Sequence, residues 1–136
     1  MQDRPSVSEL LRAVRGFLED DLVPALDGRR RFHALVAANV LTIVERELGG
    51  QEEQLARQWD RLAELFQLDP ATRPGAPSAL RAAIRDLETR LVERIRAGEA
   101  DGGELAIRVR AHVRDTVVEK LLVANPKHLV GLGRPA

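Results

Sequence analysis

The sequence predicts an all-α fold: a single-domain bundle of about five helices, with the helix at 29–48 in its centre. Three observations carry this. Apolar residues recur at steps of three and four through most of the 136 residues, the period that lines up one face of an α-helix. Runs that alternate apolar and polar, the mark of a half-buried strand, are missing. Proline and glycine cluster between the periodic stretches, where they punctuate helices. A chain of this length fits one domain and buries roughly two-thirds of its unfolded surface.

The first helix is expected from about Pro5 to Asp21. Ser6 and Glu9 have the spacing of a capping box, and Val7, Leu10, Leu11, Val14, Phe17 and Leu18 make one apolar stripe. Pro24 disfavours helical geometry at Val23 and should end the helix there, leaving "PALDG" as connector. The second helix, 29–48, follows Asp27 as N-cap and is apolar nearly all round from Phe32 to Val44, which places it at the bundle centre. Gly49 and Gly50 should stop it. The third helix spans about 51–68, with Leu55, Trp59, Leu62, Leu65 and Phe66 inward. "DPATRPGAP" is a loop. The fourth helix, 78–97, carries Leu80, Ile84, Leu87, Leu91 and Ile95, and Gly98 ends it. The fifth starts near Asp101 and runs to about Ala124, with Ala106, Val109, Val113, Val117, Leu121 and Leu122 inward. Asn125–Pro126 terminates it. Residues 1–126 thus form the bundle domain and 127–136 a tail, unless Leu129, Val130 and Leu132 dock.

Composition removes several chemistries. The chain has no cysteine, so thiol catalysis, cysteine zinc sites and a disulfide framework are out. The 21 basic and 21 acidic residues balance, which gives no pull toward nucleic acid or acidic membrane. With no tyrosine, three phenylalanines and one tryptophan, the chain lacks base-stacking platforms. No apolar run approaches the ~18 residues of a membrane span. "MQDRPSVSELL" lacks the basic flank and apolar run of a signal peptide, so a cytoplasmic location is expected. His33, His112 and His128 fall in no H-E-x-x-H or E-x-x-H pattern, the spacing that puts helical metal ligands on one face. There is no G-x-S-x-G, P-loop or dinucleotide fingerprint. No catalytic residue, metal or cofactor is therefore assigned.

Four features bear on binding. Arg29, Arg30 and Arg31 open a helix, where cations oppose the dipole by roughly 0.3–1 kcal/mol each when exposed. They either hold an anion or offset Glu19, Asp20 and Asp21 at the end of the first helix. Asn39, among apolar neighbours, is either a core polar residue fixing helix register or a group lining a pocket. His33, one turn from Arg29, could titrate or sit partly buried and satisfied; His112 belongs on a solvated face. "VANPKHL" is a helix stop or, through Asn125, Lys127 and His128, part of a partner surface. The arginines of the last two helices alternate with acids, as on an ordinary solvated surface.

"DRPSVSELLRAVRGFLEDDLVPAL", "RFHALVAANVLTIVEREL" and "LLVANPKHL", in this order, resemble a small bacterial family of unknown function, DUF6285. The resemblance covers nearly the whole chain. The family has no established activity, so it implies no catalytic residue. Its members are often encoded beside aminoglycoside-phosphotransferase-like kinases and acyl-CoA dehydrogenases, which implies a link to acyl-CoA or hydroxyacyl metabolism. The function expected is thus that of a non-catalytic accessory or interaction protein, partnered by such a kinase or dehydrogenase or by a second copy of itself. The alternative is a small-ligand module in which Arg29, Arg31, His33 and Asn39 hold an anionic metabolite such as an acyl-CoA or phosphate ester.

Overall fold

The computed structural model describes residues 4–131. Every regular element among them is helical: α1 (Val7–Gly16), α2 (Gly28–Leu65), α3 (Pro77–Arg96) and α4 (Gly103–Ala124), with short helical turns between and after. The chain divides into two compact units between Gly50 and Gln51.

In the first unit the capping box forms as expected. The Ser6 hydroxyl accepts the Glu9 N–H at 3.3 Å, and the Glu9 carboxylate accepts the Ser6 N–H at 2.7 Å. Pro24 does not end the helix at Val23. Phe17–Leu22 widens into a π-helical stretch, the Val23 N–H donates to the Leu18 carbonyl, and a last turn runs over Val23–Ala25. The wider ladder reaches five residues back, which relieves the clash a proline makes with the carbonyl four residues back. Leu26 then leaves the helix with extended geometry.

Two expectations about the second helix are overturned. Gly49 and Gly50 do not stop it. They lie inside α2, which runs 38 residues and absorbs the expected third helix, so the described residues hold four long helices and not five. Glycine costs a helix interior roughly 1 kcal/mol relative to alanine, and the helix-favouring flanks "VEREL" and "QEEQLARQ" sustain the ladder across it. Nor is the 29–48 segment a buried centre: Phe32, Leu35, Val36 and Val40 are exposed, and only Ala34 and Ala38 are buried there.

The second unit holds the hydrophobic core. Trp59, Leu62, Ala63 and Leu65 from α2 pack with Leu80, Ile84, Leu87 and Leu91 of α3 and Val109 of α4, and Leu62 is fully buried. The inward residues expected for these stretches are largely those found. Ile95 of α3 and Val113, Val117 and Leu122 of α4 are exceptions and lie exposed. α2 ends with paired bonds from the Gln67 N–H to the Glu64 carbonyl and from the Leu68 N–H to the Ala63 carbonyl. This leaves Gln67 in the left-handed region at φ 53°, a position usually given to glycine. α3 closes by the same motif with Gly98 at φ 82°. Asn125 caps α4, and Pro126–Gly131 forms a further 3₁₀ turn in which Leu129 is half-buried and Val130 exposed. The rest of the expected tail, 132–136 with Leu132, lies outside the described residues.

Candidate functional site

Two arrangements stand out, one in each unit. The first is a charged cluster in the second unit. Arg57 and Arg61, one turn apart on α2, converge on Glu119 of α4. Arg61 forms a two-pronged pair with it at 2.8 and 3.0 Å, and the Arg57 Nε–H donates at 3.0 Å. These contacts, led by Arg61, hold the Glu119 carboxyl below its ordinary range. One and two helical turns before Glu119 on α4, Asp115 and His112 line a cleft of about 160 Å³ together with Arg61, Glu64 and Arg108. His112 is buried, not solvated as its charged neighbours suggested. Burial, then the Arg61 charge, pushes its imidazole below the ordinary value. Its Nδ1 and the Arg61 Nε are buried without a hydrogen-bond partner among the described residues. No group of three or more His, Asp or Glu among those residues is placed to hold a metal ion.

The second arrangement is the helical hairpin of the first unit. α1 and the start of α2 are joined by Glu45, whose carboxylate accepts from the Ser8 hydroxyl at 3.0 Å, Arg15 at 3.1 Å and the Arg12 Nε. Arg12 leads in lowering the Glu45 carboxyl below its ordinary range. Arg15 also reaches the Thr42 hydroxyl, which donates to the Ala38 carbonyl. Ala34 and Ala38 lie on the same stripe of α2 as Thr42 and Glu45 and are buried. With Val23 they complete the buried apolar set of this unit among the described residues. Leu11, Leu18, Leu22, Leu26, Leu41 and Ile43 are half-buried. Val7, Leu10, Val14 and Phe17, and on α2 Phe32, Leu35, Val36, Val40, Val44 and Leu48, are between 36% and 63% exposed. Scattered single apolar residues are normal on a surface, whereas large contiguous apolar patches are not.

The residues singled out from sequence lie mostly in this hairpin. Arg29, Arg31, His33 and Asn39 are all exposed. Asn39 is therefore not a core register residue. The His33 ring lies 6.1 Å from that of Phe32. Three clefts in the second unit are lined by other residues. Arg29, Arg30 and Arg31 make no ion pair within 4.0 Å with a described residue, so the expected pairing with Glu19, Asp20 and Asp21 does not form, and the partner of Glu19 is Arg15 at 3.9 Å. Asn125, Lys127 and His128 are exposed around the last turn.

Sequence reasoning missed the two carboxylate hubs. Glu45 lies 30 to 37 residues from its partners in α1, a separation that spacing along the chain does not encode. Glu119 had a partial signal in Arg57 and Arg61, two arginines at a four-residue step on one helix face. No helix among the described residues is long and apolar enough to cross a membrane. The chain matches the family described as "Domain of unknown function (DUF6285)" over residues 24–128. No curated protein matches it, and no solved structure does.

Proposed function

The chain belongs to the DUF6285 family, and we propose that it works without catalysis, as an accessory or interaction protein that binds another protein through its 7–48 hairpin. The observation that carries this is the outward-facing apolar set of that hairpin beside only three buried apolar residues. A helix pair with so little buried surface gains little stability from its own packing, and covering the set with a partner supplies what is missing. The gene association that the resemblance implies makes a phosphotransferase-like kinase or an acyl-CoA dehydrogenase the heterologous partner to try. The test is to titrate each purified enzyme onto the full chain and onto a Val14→Asp, Val40→Asp variant of preserved helicity. The reading expects the variant to bind at least tenfold more weakly. It fails if the variant binds every partner as tightly as the unaltered chain.

A second reading is favoured by the unpaired guanidinium groups of Arg29 and Arg31. With His33 and Asn39 they would hold an anionic metabolite such as an acyl-CoA or phosphate ester. Calorimetry with inorganic phosphate and an acyl-CoA tests it, and binding no tighter than millimolar removes it. Asn125, Lys127 and His128 are proposed as a separate partner surface of the second unit, and alanine at all three should weaken binding of a partner held there.

A further inference from the structure

We infer that the hairpin of residues 7–48 pairs with the same hairpin of a second copy of this chain. The two form a four-helix bundle with twofold symmetry and both connectors at one end. This rests on the reading that the hairpin is the protein's binding surface, and it names the occupant.

Spacing and charge favour a second copy. Val7, Leu10 and Val14 on α1, with Phe17 at the start of the widened turn, follow one another at steps of three, four and three, the seam spacing by which helices of a bundle interlock. The charges at the connector end are self-complementary. Glu19, Asp20 and Asp21 are exposed on the widened turn of one helix, and Arg29, Arg30 and Arg31 are exposed at the start of the next. The arginines have no ion pair with a described residue, and neither Asp20 nor Asp21 pairs with an arginine there. A partner of one charge sign would be attracted by one cluster and repelled by the other. A second copy placed by a twofold axis brings three acids to three arginines twice, because in such an interface each patch meets the other patch of its mate.

Sedimentation equilibrium of the full chain, with two charge-reversed variants, tests this. One variant carries Arg29→Glu, Arg30→Glu and Arg31→Glu, and the other Glu19→Arg, Asp20→Arg and Asp21→Arg. The unaltered chain should sediment at twice the mass of one copy in the micromolar range. Each variant alone should dissociate at least tenfold more readily, and an equal mixture should recover a mixed dimer at near the original strength. A variant that fails to fold is recognised by its lost helicity. A single Asp27→Cys substitution in this cysteine-free chain then decides: a short bifunctional thiol reagent should link the two connector ends within the dimer. The inference is overturned if the chain is monomeric throughout, if the dimer survives both reversals, or if Asp27→Cys copies do not cross-link. A monomer that loses a heterologous partner on Val14→Asp, Val40→Asp substitution overturns the second copy and leaves the interaction reading standing. A monomer whose binding is indifferent to that substitution overturns both.

Discussion

His112 is the residue whose surroundings most directly predict a measurable property. The folded protein holds its imidazole below the ordinary value of about 6.5, so the folded state binds a proton less readily than the unfolded state. Stability is then full above about pH 6.5 and falls as the pH drops from there toward the folded value. Glu119, held low by Arg61 and Arg57, adds a second loss below the ordinary carboxylate range of about 4.3. Replacing His112 with leucine should remove the first loss and leave the second. It should cost little at pH 8, because the buried Nδ1 has no partner among the described residues to lose. Urea titrations from pH 8 to pH 5 measure this. An equal slope in both proteins over that span would refute the assignment.

At the scale of the element, the sequence was legible wherever one stretch decided its own structure. The capping box at Ser6, the stop at Gly98 and the inward face of α3 from Leu80 to Leu91 follow from local spacing, and all three form, while Ile95 lies exposed. It misled where local rules competed. Pro24 was expected to end a helix, and the π-helical turn let the helix pass. Gly49 and Gly50 were expected to break one, and the flanking helix formers carried it through. The candidate site was less legible still. An apolar segment such as 32–44 reads the same whether it is the middle of a core or a surface awaiting a partner, because periodicity reports which side chains want burial and not what buries them. The continuity of α2 makes a prediction of opposite sign to a break. A Cβ at Gly49 meets nothing within 4 Å, so Gly49→Ala should raise stability by about 1 kcal/mol in a continuous helix. A terminating glycine in the left-handed region would give a loss instead. Thermal denaturation of the variant decides between them.

Over the whole molecule, buried apolar packing is unequal between the two units. The second unit buries Trp59, Leu62, Ile84, Leu87 and their neighbours in one core and cross-links α2 to α4 through Glu119. The first unit buries Val23, Ala34 and Ala38, half-buries others such as Leu11, Leu18 and Leu41, and leaves ten larger apolar side chains exposed. Opening should therefore begin in the hairpin, where few apolar contacts oppose it, and association should slow it. Amide hydrogen exchange of the full chain, measured from nanomolar to high micromolar concentration, tests this most directly. The account predicts that amides of 7–48 exchange quickly when dilute and slow markedly as concentration rises, while those of 59–91 stay slow throughout. Equal protection of both stretches, unchanged by concentration, would contradict it.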